Sequence, residues 1–131
     1  MSADSQSEQQ SSAEWIVHEP FNAAMFQDYV GNDTAVARRV VHRFLADAPG
    51  RLAAIQQALA AGDAQVLARA AHALKGAVSF FAADAALETA REVETIARTG
   101  DLQEAASACV ALGNAMSRLT AALEEFLTCA V

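Results

Sequence analysis

The chain has 131 residues, of which 53% are hydrophobic, so it can bury the core of one domain without a metal or a disulfide. Alanine is abundant and there are only two prolines, one tyrosine and one tryptophan, a composition that predicts an all-α fold. The formal net charge of −7, with nine scattered cations, argues against a nucleic-acid partner, and no apolar run has the length of about 20 residues needed to cross a membrane.

The N-terminal segment differs in composition from the rest of the chain. Residues 1–14, MSADSQSEQQSSAE, have almost nothing to bury, which predicts a disordered acidic tail before a helical bundle domain over residues 15–131. The start of the chain does not resemble a secretory signal, so we expect a cytoplasmic protein. The initial methionine and the acidic tail favour a separate protein over a domain cut from a longer kinase.

Turn residues divide the domain into helices. A short helix is predicted over residues 21–30, ending at Gly31-Asn32, and Asp33 can cap a long second helix that ends at Gly62. Pro49 interrupts this second helix and predicts either a kink or a break. Further caps begin a third helix, over residues 64–81, and a last helix after Gly100. The capping residues are Asp63 and Asp101, the latter in a capping box with Glu104.

The last helix carries the most regular apolar pattern. Its apolar residues are spaced alternately by three and four: Leu102, Ala105, Cys109, Leu112, Met116, Leu119, Leu123 and Phe126. Such a repeat keeps one seam facing neighbouring helices, and short connections make neighbouring helices antiparallel. The sequence therefore predicts an antiparallel up-down-up-down four-helix bundle, with the short extra N-terminal helix as a lid. Cys109 falls on the seam as a small buried residue, about 30 Å along the helix from Cys129 and too far to bridge it.

Residues 71–83, AHALKGAVSFFAA, bring unusual residues together. Lys75 is the only lysine of the chain, and it lies between His72 and Gly76 in a helix-favouring run. At about 100° per residue, the apolar stripe of this helix leaves several polar or small residues outside the core. They are Arg69, His72, Lys75, Gly76 and Ser79. His72 is therefore presented to solvent near the middle of its helix.

This arrangement suits phosphoryl transfer. An exposed histidine, largely unprotonated near neutral pH, is a nucleophile that can accept a phosphoryl group, and Lys75 one turn along can bond the phosphoryl oxygens. Gly76 lies above His72 on the same face, where a side chain would stand between the ring and an approaching donor. Glycine in a helix costs about 0.5–1 kcal/mol relative to alanine. Because Gly76 faces away from the apolar stripe, access explains it better than close packing.

The motif Ala71-His72-Ala73-Leu74-Lys75-Gly76 resembles that of the histidine-containing phosphotransfer (HPt) domains of two-component phosphorelays. The resemblance extends over about residues 21–125, through FLADAPGRLAAIQQALAAGDAQVLARAAHALKG and LETAREVETIARTGD. It implies that His72 is the phosphoacceptor. The phosphoryl group would come from the aspartyl phosphate of a response-regulator receiver domain, or from a hybrid histidine kinase, and would pass to another receiver aspartate. It also implies that Mg²⁺ belongs to the receiver, so we expect no metal and no cofactor in this chain. We further expect a monomer, and a phosphocarrier without an ATP site of its own.

One position departs from the family pattern. Members often have a second glycine six residues after the first, where this chain has Ala82, which leaves open how the helix ends. Phe80 lies on the outer face, where it either touches a receiver or covers the next helix. With Ala68, Arg69 and Ser79 it forms the set of candidate receiver-docking residues.

Other residues and function classes have weaker support. We interpret His18 and His42 as surface histidines, and Glu88 and Glu94 as solvated charges on a helix face. The chain has no phosphate-binding glycine loop, no room for a nucleotide domain and no Glu-x-x-His pair, which argues against an ATP-dependent kinase and a metal–carboxylate bundle. The remaining alternative is a helical module that docks on a receiver or kinase without carrying phosphate.

Overall fold

The computed structural model describes residues 21–129, apart from the side chain of Cys129, so the predicted acidic tail lies outside the described residues. This part of the chain forms a series of α-helices and no β-strand, which confirms the all-α prediction. The helices are α1 (Ala23–Tyr29), α2 (Thr34–Ala61), α3 (Ala64–Val78), α4 (Asp84–Thr99) and α5 (Leu102–Cys129). A 3₁₀ turn over Ser79–Phe81 follows α3.

Polar caps and left-handed glycines fix the connections between the long helices. Asp33, Asp63 and Asp101 each accept a hydrogen bond from the backbone amide three residues later, which begins α2, α3 and α5 as predicted. Gly62 and Gly100 end α2 and α4 with φ of 71° and 84°, a conformation that favours glycine. Since each of these two connections has two residues, the helices on either side run antiparallel.

Pro49 lies inside α2 without breaking it. The helix runs continuously from Thr34 to Ala61, and Pro49 is exposed on its outer side. The predicted alternative of a break in the helix at Pro49 is therefore wrong.

The four long helices form a closed square. Helices α3 and α5 each pack against both α2 and α4, which confirms the up-down-up-down bundle. The predicted seam of α5 is buried from Ala105 to Leu123 and half-buried at its two ends. Burial raises the pKa of the Cys109 thiol, so this cysteine behaves as a small hydrophobic core residue.

Helix α1 covers one end of the bundle, as the sequence predicts. Phe26 is fully buried, with its ring centroid 5.0 Å from that of Phe81 and 5.8 Å from that of Phe126. The backbone amide of Asn22 donates to the carbonyl of Phe81 over 3.2 Å. The first helix is thereby fixed to the segment that follows α3.

Helix α3 ends earlier than predicted. Regular α-helix stops at Val78, and the hydroxyl of Ser79 donates to the carbonyl of Gly76 over 2.7 Å. After the 3₁₀ turn, Ala82 adopts the left-handed conformation, with φ of 49° and ψ of 43°. The position where the family often has glycine thus takes up a backbone conformation typical of glycine, although the residue is alanine.

Candidate functional site

His72 lies in the middle of α3 and its side chain is 63% exposed. The apolar stripe predicted for this helix is buried throughout: Leu67, Ala71, Leu74, Val78 and Phe81. The imidazole therefore lies on the outer surface of the bundle.

Glu94 of α4 is the buried partner of this histidine. Its side chain is 8% exposed, and its Oε2 atom lies 2.9 Å from Nδ1 of His72. Its Oε1 atom lies 2.8 Å from Nζ of Lys75. Arg98, one turn further along α4, donates from Nη2 to Oε2. One carboxylate thus links the histidine to two cations.

The interpretation of Glu94 as a solvated charge is wrong, and Arg98 was not singled out. Glu94 follows Ala90 by four residues and precedes Ala97 by three, so it lies on the side of α4 that carries these two buried alanines. This spacing was a signal in the sequence that the position is buried. A single-helix pattern gives no sign that the glutamate reaches α3, because that contact depends on how α3 and α4 pack.

The charges of the cluster determine which ring nitrogen of a neutral His72 carries the proton. The hydrogen bond from Lys75 is the largest of the effects that lower the pKa of Glu94 below its ordinary value of 4.5. Burial opposes this change, while the His72 hydrogen bond and the charges of Lys75 and Arg98 add to it. Glu94 is therefore a carboxylate at neutral pH and can only accept hydrogen bonds. A neutral His72 must then carry its proton on Nδ1, which leaves the lone pair on Nε2.

Lys75 is more constrained than the sequence suggests. Its side chain is 28% exposed and its ammonium is bonded to Glu94, a contact that the sequence does not predict. An ammonium has three N–H donors, and a guanidinium has five, so Lys75 and Arg98 can hold Glu94 and still donate to another anion. With His72 neutral, two cations and one carboxylate leave a net charge of +1 at the site.

Gly76 lies on the exposed surface of α3, four residues after His72. A Cβ atom built on Gly76 would meet nothing within 4 Å, so packing does not require glycine here. This open space fits the access interpretation.

The candidate docking residues differ in accessibility. Arg69 and Ser79 are exposed, and Arg69 lines a cleft of about 570 Å³ together with Arg98. Phe80 is 59% exposed, which argues against the alternative in which it covers the next helix. Ala68 is only 7% exposed and lies at the edge of the core, although it lines the same cleft as Arg69, so its part in docking stays a prediction.

The other histidines and Glu88 lie apart from the His72 cluster. His42 and Glu88 are exposed, and Glu88 pairs with Arg91 over 3.4 Å, as expected for surface charges. His18 lies outside the described residues. Between residues 21 and 129, no three His, Cys, Asp or Glu side chains are grouped so that they could hold a metal ion.

Comparison with known families shows to which family this chain belongs. The family model of the Hpt domain matches residues 39–125, which is more than half of the chain. The chain belongs to the Hpt domain family. The resemblance predicted from the motif is thereby confirmed, and with it a general role in phosphorelay by histidine phosphotransfer.

Two solved structures share the fold of this Hpt domain. Histidine-containing phosphotransfer protein B (HptB) of Pseudomonas aeruginosa PAO1 is 24% identical, with a TM-score of 0.75, over 81% of this chain and 92% of that one. The HPT domain of a sensor hybrid histidine kinase from Shewanella is 16% identical, with a TM-score of 0.74, over 84% of this chain and 95% of that one. Among curated proteins, a search finds no match. No helix in the described part of the Hpt domain is long and apolar enough to span a membrane.

Proposed function

We propose that this Hpt domain carries a phosphoryl group on Nε2 of His72. The group comes from the aspartyl phosphate of a receiver domain, or from a histidine kinase, and passes to the aspartate of another receiver. The observation that supports this best is the 2.9 Å hydrogen bond between Nδ1 of an exposed imidazole and the buried carboxylate of Glu94.

The transfer step follows from the form of the imidazole. Because Glu94 holds the proton on Nδ1, Nε2 offers its lone pair to the phosphorus atom. The N–P bond forms while the P–O bond to the donor's aspartyl oxygen breaks, and the electron pair of that bond leaves with the carboxylate. The Nδ1 proton stays in place, and Glu94 offsets the positive charge that develops on the ring. Transfer to a second aspartate is the same step in reverse.

The cations around Glu94 complete the site. Lys75 and Arg98 are already ordered by their bonds to Glu94 and have further N–H donors for the phosphoryl oxygens. Open space at Gly76 leaves room for a donor to approach. In this proposal the chain supplies the nucleophile and its counter-charges, while the receiver or kinase supplies the phosphoryl group, so the domain is a carrier without an ATP site.

The alternative is a docking module that carries no phosphate. Such a module has no need of an exposed imidazole whose tautomer is fixed by a buried carboxylate. The site therefore favours phosphoryl transfer.

Replacement of His72 tests the proposal directly. His72→Gln should abolish acid-labile, base-stable labelling by phosphorylated receivers and leave the helical circular-dichroism spectrum unchanged. His42→Gln is the matched control, since His42 is an exposed histidine on α2, and it should label normally. Labelling that persists in the His72→Gln protein would show that another residue is the acceptor, and a chain that no receiver or kinase labels would favour the docking module.

A further inference from the structure

A groove of about 400 Å³ lies between α2 and the end of α3. Part of its lining is apolar and includes Phe44, Ala77 and Phe80, of which Phe80 is 59% exposed. The charged part of the lining has three arginines and one aspartate, a net charge of +2: Arg39, Arg43, Arg51 and Asp47. Such a lining favours an occupant that combines apolar side chains with carboxylates.

Two of these arginines have unused hydrogen-bonding capacity. Arg43 pairs with Asp47 over 3.1 Å, whereas neither Arg39 nor Arg51 has an ion pair within residues 21–129. The Nε atom of Arg51 is buried and has no hydrogen-bond partner. A buried N–H donor without an acceptor is unfavourable, so a carboxylate brought into the groove would be stabilising here.

The chain itself contains a segment with matching chemistry, just before the first described residue. Residues 14–19 read EWIVHE, so three apolar residues lie between two glutamates that are close in sequence. Residues 1–20 hold four acidic residues and no lysine or arginine, which places −4 of the net charge of −7 in this part of the chain. An apolar centre flanked by carboxylates is complementary to an apolar groove flanked by arginines.

The first described residues lie at the rim of this groove. The backbone amide of Asn22 donates to the carbonyl of Phe81 over 3.2 Å, and Phe81 lines the groove. Trp15 precedes Phe21 by six residues, a stretch that spans at most about 20 Å when extended. A ligand joined through so short a connection has an effective concentration in the millimolar range, so a weak attraction is enough to hold it.

We infer that residues 14–19 of this chain bind in the groove, with Trp15 packed against Phe80 and the two glutamates beside the arginines that have no ion pair. The short connection favours this occupant over a separate partner of the same chemistry, because a separate partner has to be present at a comparable concentration.

The bound segment limits access to His72. Ala77, which lines the groove, follows Gly76 directly, so the segment lies beside the open space through which a donor approaches. A donor as large as a receiver domain has to displace the segment, whereas a small molecule does not. This effect on transfer rests on the proposed function, but the binding of the segment does not.

Fluorescence of Trp15 tests the binding directly, because it is the only tryptophan of the chain. The unaltered chain is compared with Phe80→Ala and Arg39→Glu by emission wavelength and by acrylamide quenching. Val110→Ala and Arg118→Glu are the matched controls, since both positions are exposed on α5 and do not line the groove.

Both groove variants should release the segment. Phe80→Ala should lower the equilibrium constant for binding about tenfold, as expected for the loss of an aromatic contact, and Arg39→Glu about three- to tenfold. The emission of Trp15 should then move to longer wavelength, and acrylamide should quench it more strongly. Added salt should have the same effect in the unaltered chain, because it screens the attraction between carboxylates and arginines. Both controls should match the unaltered chain.

Substitutions in the segment test its effect on transfer. Glu14→Gln/Glu19→Gln should expose Trp15 and speed transfer from a phosphorylated receiver about three- to tenfold, as expected for two exposed ion pairs. Asp4→Asn/Glu8→Gln is the matched control, because it makes the same change of charge outside residues 14–19, and it should alter neither quantity. Labelling by phosphoramidate, a small phosphoryl donor, should be the same in all these chains.

Two results would overturn the binding of the segment. Identical Trp15 fluorescence in the unaltered chain and both groove variants would leave the groove to another occupant. Exposure of Trp15 that decreases as the protein concentration rises would make the segment of a second copy the occupant. Unchanged receiver transfer in Glu14→Gln/Glu19→Gln would overturn the effect on access. Failure of the proposed function is distinguishable, because neither donor would then label His72 in any chain, while Trp15 would still respond to the groove substitutions.

Discussion

At the scale of single residues, Glu94 determines how the candidate site is arranged. A buried carboxylate is costly unless it is paired, and this one accepts hydrogen bonds from His72, Lys75 and Arg98. The same contacts fix one tautomer of the imidazole and hold two cations beside it. Glu94 does not itself react in this proposal, so it is a positioning residue.

Glu94→Gln should loosen the control of the His72 tautomer. A neutral amide accepts the Nδ1 proton less strongly than a carboxylate does, so we expect transfer to slow about 10- to 100-fold, the value of one charge-assisted hydrogen bond. The ring nitrogen resonances of His72, measured by ¹⁵N NMR at neutral pH, should show a larger fraction protonated on Nε2. Glu88→Gln, an exposed position on the same helix, should change neither quantity. An unchanged tautomer ratio in Glu94→Gln would contradict the role given to Glu94.

Gly76 should separate stability from function. Gly76→Ala places a Cβ in open space and removes the conformational freedom of glycine, so it should stabilise the fold by up to about 1 kcal/mol and leave transfer intact. Gly76→Gln should keep most of that stability but extend over the imidazole and suppress transfer from a receiver. Thermal melting and rapid-quench kinetics measure the two effects. A folded Gly76→Gln protein that transfers normally would show that access is not the reason for glycine here.

At the scale of secondary-structure elements, the end of α3 contains an unfavourable backbone conformation. Ala82 is left-handed, and it precedes Ala83, which begins α4 without a side-chain cap. A left-handed conformation costs about 1–2 kcal/mol for a residue with a Cβ atom. The chain tolerates this cost because the turn places Phe81 in the aromatic cluster with Phe26 and Phe44.

Ala82→Gly should therefore stabilise the protein. We expect a gain of about 1 kcal/mol in the free energy of unfolding, since glycine adopts this conformation without a steric penalty. Ala111→Gly, at an exposed position inside α5, should instead cost about 1 kcal/mol, because glycine weakens a regular helix. Urea denaturation of both variants gives the two signs. A loss of stability in Ala82→Gly would mean that the left-handed turn is not strained.

At the scale of the whole molecule, the Glu94 cluster ties α3 to α4 at the side of a bundle in which, among the described residues, the other fully buried side chains are apolar. His72 and Lys75 come from one helix, and Glu94 and Arg98 from the other. Three expectations concern the molecule at this scale and stay predictions: a monomer, a cytoplasmic location, and a boundary at residue 15 between an N-terminal tail and the helical domain.

The cluster should make folding stability depend on acid. The pKa of Glu94 is lower in the folded state than its ordinary value of 4.5, so its stabilising contribution is fully present above that value. The contribution is lost as pH falls below 4.5 and through the lowered folded-state pKa. Between neutral pH and about pH 3, the free energy of unfolding should therefore fall more in the unaltered chain than in Glu94→Gln. Urea denaturation across this range measures the difference, and equal slopes would show that the ionised Glu94 adds no stability.

The amino-acid sequence by itself determined the helices, their apolar stripes, the caps and the presentation of His72, Lys75 and Gly76 on one helix. These features depend on contacts between residues that are close in sequence. The helical repeat then determines on which face of a helix each of these residues lies. The roles of Glu94 and Arg98 were decided only by the tertiary structure. They arise where two helices meet, and the register between helices depends on the packing of the whole core rather than on any local pattern. Glu94 looked like one more surface charge because its three partners lie on two helices, and only their packing brings them around one carboxylate.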